Sequence, residues 1–327
     1  MLLPIHKEIG GYMGFDLTNL NQFPYPGSRR YCSARAAFFD LLQNLDIESI
    51  WMPKYICDTM IKPLHMLKIN IKFYDLDINF YPNIPIKLED KDYLLYVNYF
   101  GLCTENQQQI VNLYPREKII FDHSQAFFVK PFLGTHTIYS PRKFFAVADG
   151  GLLITAQYMD EVQNQKSEDE LIQQYKHLFI RCINGAEQGY SQFQRAEDIL
   201  SDCTPKKISP ITDLILQNID YAEIKEKRLN NFKYLHSKLA EVNQLKINLD
   251  ELESPLTYPF LSKENFSKHL ISHKVFVPTY WNDCLVRINE DSSEYQFVNK
   301  ITHLVCDHRY GVEDMQFQID VIGNIVL

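Results

Sequence analysis

Between residues 30 and 155, apolar and polar positions alternate in two rhythms. The runs "IKFYD" (71–75), "YLLYVN" (93–98) and "KIIFD" (118–122) are almost unbroken apolar text. That is the pattern of strands buried on both faces. "SIWMP" (49–53) reads as a short strand ending at Pro53, and "HTIYS" (136–140) and "GLLIT" (151–155) as two more. Between them lie helical spacings. Ser33 is placed to cap a helix whose apolar side is Ala37, Phe38, Leu41, Leu42 and Leu45. Asp58 is placed to cap another, its regularity limited by Pro63. This alternation predicts a mostly parallel sheet with crossover helices. Three of the runs end in Asp75, Asn98 and Asp122. Ligands of open α/β sheets bind beyond the carboxyl ends of the strands, so these residues point to one crevice edge.

After residue 156 the rhythm changes. "QNQKSEDELIQQ" (163–174) reads as a solvated helical face, and 208–242 as one long helix. "LTYPFL" (256–261), a helix over 263–273, a strand at "VFVP" (275–278), a helix over 292–305 and a last helix from 313 suggest a smaller α+β unit. The expected division is a large domain over 1–240, with an N-terminal arm over about 1–30, and a small domain over 241–327.

Composition narrows the class. The chain has 327 residues, long enough for a large α/β unit with an appendage, and 12 glycines against 21 Phe and 20 Tyr. A net charge of −8 offers no basic footprint for nucleic acid or an anionic membrane. No apolar run approaches the ~18 residues of a membrane span, and the start does not read as a signal peptide. The seven cysteines are widely spaced, which suits reduced thiols. A cytoplasmic protein is expected. No serine-hydrolase elbow, Walker loop or dinucleotide fingerprint is present. His269 and His273 are spaced i, i+4, but the polar stretch "KHLISHK" reads as a solvated face, so no metal is expected.

Two segments carry candidate chemistry: "DHSQAFF" (122–128) and "YSPRKFFAVADGG" (139–151). A lone aspartate at a strand end is most often a turn residue, and a lysine beside phenylalanines usually snorkels. Together, within this alternation, they suggest pyridoxal phosphate. That cofactor needs a lysine for a Schiff base and an acid for its pyridine nitrogen. The lysine must lose its proton to react, which a desolvated site favours.

These segments resemble the DegT-type aminotransferases, fold-type-I pyridoxal-phosphate enzymes acting mainly on nucleotide-linked keto-sugars. The family pattern is an Asp-x-x-Gln-Ala turn, a Ser followed by the Schiff-base lysine, then Gly-Gly before a strand. The resemblance implies an α/β fold: a three-layer, mostly parallel sheet of the aspartate-aminotransferase type with a small C-terminal α+β domain. It implies Asp122 at the pyridine nitrogen, Gln125 by the ring and its phenolic oxygen, Ser140 on the phosphate and Lys143 as the catalytic, Schiff-base residue.

"YCSARAAFFDLL" (31–42) lies where the family has its phosphate-binding turn, making Ser33, Ala34 and Arg35 cofactor-binding candidates. Ala34 and Arg35 stand where a Gly and a Thr or Ser are usual. A helix N-terminus still offers amides to phosphate, and Arg35 suits either a phosphate or a surface carboxylate. In "WMPKYICD" (51–58) Cys57 stands where the family has an aromatic, so Tyr55 is the candidate ring cover.

His123 suits either the cofactor or an ordinary turn, and Asn98 and Tyr99 either ligand contact or strand termination. Asp307-His308-Arg309 reads as positioning the small domain. The implied activity is transamination from glutamate to a nucleotide-linked keto-sugar, for surface polysaccharide or related assembly. A homodimer is implied, with a partner residue from 185–210 completing the site. Two alternatives remain: a pyridoxal-dependent sugar dehydratase or isomerase, although the known family dehydratase exchanges the lysine for histidine and Lys143 is retained here, and a family member reduced to binding or regulation.

Overall fold

The computed structural model describes residues 22–250 and 252–326 together with Tyr12, Phe15, Leu17 and Leu20. Its first half is a seven-stranded sheet built from β1 (Arg29–Tyr31), β2 (Ser49–Pro53), β3 (Asn70–Tyr74), β4 (Asp92–Val97), β5 (Ile119–His123), β6 (His136–Tyr139) and β7 (Gly151–Ile154). The order is β1-β7-β6-β5-β4-β2-β3. Pairings from β3 through to β6 are parallel, and β7 runs antiparallel to both neighbours. Every residue of β4, β5 and β6 is buried, which accounts for their unbroken apolar runs. In register, Val97 faces Asp122, and His123 faces Tyr139. Asn98, Asp122 and Ser140 therefore emerge at one edge.

α1 (Ala34–Gln43) begins where Ser33 Oγ accepts the Ala36 amide at 3.0 Å. Ala36, Ala37, Phe38, Leu41 and Leu42 then pack into the main core. α2 (Asp58–Leu67) is capped by Cys57, one residue before the expected Asp58, and holds Pro63 within it. The Asp58 amide donates to the Asp283 carboxylate at 2.6 Å. α3 (Thr104–Leu113) completes the crossovers of this half.

α4 (Glu168–Asn184), opened by a Ser167/Glu170 capping box, and α5 (Ala186–Ile199) form a hairpin bent at Gly185, whose φ is 86°. The single helix expected over 208–242 is two. α6 (Pro210–Gln217) stops at Asn218, and α7 (Tyr221–Leu239) restarts where Asp220 accepts the Glu223 amide at 2.9 Å. A side chain that can cap the backbone interrupts what looks continuous to an apolar count.

Two further expectations need correction. "VFVP" is not a strand. The partner of β8 (Thr257–Leu261) is β9 (Ile301–Val305), paired antiparallel. α8 (Ser267–Ser272) lies between them. The helix expected over 292–305 is α9 (Ser293–Lys300) followed at once by β9, because "ITHLV" finds a ladder beside β8. Tertiary pairing overrides local periodicity there. α10 (Val312–Val326) closes the chain. A second core joins Phe232, Leu235 and Leu239 of α7 to Tyr258, Phe260, Leu304 and Met315.

Candidate active site at the sheet edge

The turn after β5 is set by Asp122, whose Oδ1 accepts the Ser124 amide at 2.8 Å. Gln125 is fully buried behind it. Its Oε1 accepts the Phe100 amide at 3.1 Å, while its Nε2 has no acceptor. A buried amide donor without a partner is costly unless something else receives it. Beside this turn, Asn98 donates to Gln107 at 2.6 Å and accepts the Cys103 amide at 3.0 Å. Gln107 Nε2 meets His123 Nε2 at 2.7 Å. Gln107 is the donor there, since its Oε1 already accepts from Asn98 (the amide orientation follows from this network). Burial holds the His123 pKa at about 3, so the ring is neutral. Asn98 thus serves the end of its strand. Tyr99 does too: it is buried, with its hydroxyl on the Tyr55 carbonyl at 2.8 Å.

Lys143 is positioned by its neighbours. β6 ends at Tyr139, and Ser140 opens a 3-10 turn, Pro141–Lys143, closed by the Lys143 amide on the Ser140 carbonyl at 3.2 Å. Phe144 and Phe145 then bury themselves against Phe127 and Tyr221. Arg142 pairs with Glu197. Lys143 is left exposed, and its amine forms no hydrogen bond or ion pair among the described residues. Ser140 is buried with no side-chain capping bond.

At the N-terminus of α2, burial raises the pKa of the Cys57 thiol; the Lys143 charge opposes that rise and Asp122 adds to it.

The glycine pair explains how the 33–35 turn joins this edge. The Gly150 amide donates to the Cys32 carbonyl at 2.8 Å, and Gly150 has φ 125°. A Cβ on Gly151 would lie 2.1 Å from the Ser33 carbonyl carbon and 2.3 Å from the Ala34 nitrogen. The start of α1 rests directly on the glycine backbone. Ser33 Oγ takes the Ala36 amide, and Ser33 forms a parallel bridge with Gly150 that occupies the Ala34 side of the turn, so the Arg35 amide is left without an acceptor among the described residues. The Arg35 side chain turns elsewhere: Nη1 donates to the Leu200 carbonyl at 2.5 Å, and Nε has no acceptor.

Tyr55 is enclosed. It stacks on Tyr99 at 5.4 Å, meets Trp281 edge-on at 4.9 Å and sends its hydroxyl to the Tyr280 carbonyl at 3.2 Å. Of the sequence candidates, Asp122, Gln125, Ser140 and Lys143 lie at the edge, and Ser33, Ala34 and the Arg35 backbone abut it through Gly151. The Arg35 guanidinium and the Tyr55 ring are committed to other contacts.

Sequence reasoning passed over Asp149. Fully buried, it accepts from the Ser209 amide (3.0 Å), Ser209 Oγ (2.8 Å), Thr212 Oγ1 and Lys166 Nζ (3.2 Å). This anchors the glycine pair to the start of α6. Its one sequence signal was an acid directly before Gly-Gly. Also unforeseen is a cavity of about 650 Å³ running from Lys143 and Phe144 past Tyr190 and Phe193 to Arg228 and His308.

No family model matches the chain, and no curated protein does. Solved structures do match. A sugar aminotransferase, CalS13, from Micromonospora echinospora is 14% identical with a TM-score of 0.64, over 91% of this chain and 87% of its own. The aminotransferase TlmJ from Streptoalloteichus hindustanus is 14% identical with a TM-score of 0.62, over 90% and 84%. The E. coli GDP-4-keto-6-deoxy-D-mannose-3-dehydratase, with bound hydrated PLP, is 17% identical with a TM-score of 0.58, over 90% and 87%. The likeness is one of fold: this chain has the mixed-sheet α/β architecture of fold type I.

Proposed function

We propose that this protein is a pyridoxal-phosphate-dependent aminotransferase, passing the amino group of glutamate to a nucleotide-linked keto-sugar. The observation that carries this reading is the convergence at one sheet edge of an unpaired lysine, a carboxylate and a buried amide donor lacking an acceptor. The motif resemblance assigns these positions to the cofactor, and sugar aminotransferases are among the structural neighbours.

The residues present fit the group. Asp122 would hold the pyridine nitrogen, with its Oδ1 steadied by the Ser124 amide. The orphaned Gln125 Nε2 suits the ring's phenolic oxygen. The open amide of Arg35, at a helix N-terminus, suits the phosphate, and the Ser140 hydroxyl would join it. When bound, the cofactor supplies the carbonyl that forms a Schiff base and the ring that accepts electrons from the substrate carbon. Lys143 would move the proton at the substrate carbon as general base and then general acid. The absence of an ion pair on Lys143 leaves it available for both roles.

The neighbouring dehydratases keep a second sugar chemistry in view, and retention of Lys143 favours transamination over it. The reading includes a homodimer, a large unit over 1–240 and a small one over 241–327. The purified protein should carry a visible absorbance band that glutamate bleaches in a single turnover. Lys143→Ala should lose the band and slow amino transfer by about 10⁴-fold. A colourless protein that cannot be reconstituted with pyridoxal phosphate would be a binding or regulatory member, and the proposal would fall.

A further inference from the structure

Asp149 and Lys166 form an ion pair inside the protein, their side chains 0% and 4% exposed. Taking two charges out of water is costly, and apolar side chains of similar volume often replace such pairs without loss of stability. The best-attested use of a buried ionic group is to fix one arrangement among several. Both oxygens of the Asp149 carboxylate are engaged. Oδ1 accepts from Ser209 Oγ at 2.8 Å and from Thr212 Oγ1; Oδ2 accepts from the Ser209 amide at 3.0 Å and from Lys166 Nζ at 3.2 Å. A neutral amide in its place would turn an NH2 group toward donors. Lys166 is held on its other side by Gln174 Oε1 at 2.6 Å, and Thr212 Oγ1 also meets the Tyr175 hydroxyl at 2.5 Å. One carboxylate thus ties the approach to β7 to both α4 and the start of α6.

What this junction fixes is the glycine pair that follows it. Gly150, at φ 125°, donates its amide to the Cys32 carbonyl at 2.8 Å and bridges to Ser33. A Cβ on Gly150 would lie 3.2 Å from Pro141 Cγ and 3.6 Å from Thr212 Cγ2. Gly150 therefore sits between the start of α6 and the turn that carries Lys143. Gly151 lies against the Ser33–Ala34 peptide, too close for any side chain. The buried pair acts on the 33–35 turn through the backbone of these two glycines.

We propose that the Asp149–Lys166 pair is a positioning device for phosphate recognition. Through Gly150 and Gly151 it holds the 33–35 turn in the register that presents the Arg35 amide to the phosphate of the cofactor. This rests on the reading of the sheet edge as a pyridoxal-phosphate site.

The test compares two ligands of the cofactor-free protein: pyridoxal phosphate, and pyridoxal, which lacks the phosphate. Each is followed by the visible band it forms with Lys143. Lys166→Met should raise the dissociation constant of pyridoxal phosphate about 10- to 100-fold and leave that of pyridoxal within about twofold. Lys166→Arg, which keeps the charge, should recover part of the loss. Equal losses for the two ligands would make the pair a structural feature only and overturn the proposal. So would unchanged affinity for pyridoxal phosphate in a folded Lys166→Met protein. Should that variant not fold, Thr212→Val keeps the ion pair and the side-chain shape and removes one donor from Asp149. It should weaken pyridoxal phosphate alone, by about threefold. Equal weakening of pyridoxal, or no weakening of either ligand, overturns the proposal. A wild-type protein that forms no Lys143-dependent band with either ligand would instead remove the underlying reading, so the two failures are distinguishable.

Discussion

The two ends of the candidate site are built on opposite principles. At the Lys143 end, Gln125 Nε2 is buried without an acceptor, and the exposed lysine amine meets no protein partner among the described residues. At the 33–57 end the conspicuous side chains are spent on the fold. Arg35 ties α1 to the end of α5, and Tyr55 is wedged among Tyr99, Trp281 and Phe297. Arg35 Nε, which has no acceptor, and a backbone amide of the turn remain open there. The difference teaches that unsatisfied polar groups, which cost stability, mark function more sharply than residue type does.

Four substitutions and one change of condition press on this contrast. Asp122→Asn keeps an acceptor for the Ser124 amide but removes the charge. Single-turnover amino transfer should fall about 10²- to 10³-fold with little change in melting temperature. A large fall in melting temperature with normal turnover would move Asp122 to the structural side.

Gly151→Ala drives a methyl into the Ser33–Ala34 peptide and should cost about 3 kcal/mol, read by urea unfolding. Cofactor affinity should fall with it, because the amides of α1 are seated on that glycine. Unchanged stability would mean that the turn yields without cost.

pH separates the buried polar groups from the open ones. His123 and His303 are each held by burial at a pKa of about 3. Unfolded histidine titrates near 6.5. As pH falls from about 6.5 toward 3, the unfolded chain takes up protons that the folded one refuses, so stability drops across that window. A urea midpoint that stays flat between pH 7 and pH 4 contradicts neutral, buried rings.

The smallest effects belong to the satisfied end. Arg35→Ala and Tyr55→Phe should each cost about 1 kcal/mol and leave cofactor affinity and the visible spectrum unchanged. A tenfold loss of cofactor affinity in Arg35→Ala would return that guanidinium to the phosphate.

Much of this was legible along the chain. Strands buried on both faces must be apolar at every position, so β4, β5 and β6 announced themselves, and with them the edge carrying Asp122. Ser33 was legible as a cap because its chemistry is local. The lysine motif was legible because an amine, a serine and two glycines in that order resemble a family pattern, although Ser140 lies closer to Lys143 than in many members of it.

Contacts between distant segments were hidden. "VFVP" has strand-like text, but the place beside β8 belongs to "ITHLV", and a strand needs a partner that only the tertiary structure supplies. Tyr55 looked like a ring cover from its position, yet its neighbours Tyr99, Trp281 and Phe297 come from far along the chain. Arg228 appeared as one more charge on a helix. Its enclosure depends on Phe144, Pro255 and Leu256 meeting around it. The sequence by itself determined the layered sheet and the residues able to do the chemistry. The tertiary structure decided which were left unpaired, because pairing is set by segments that sequence distance does not bring together.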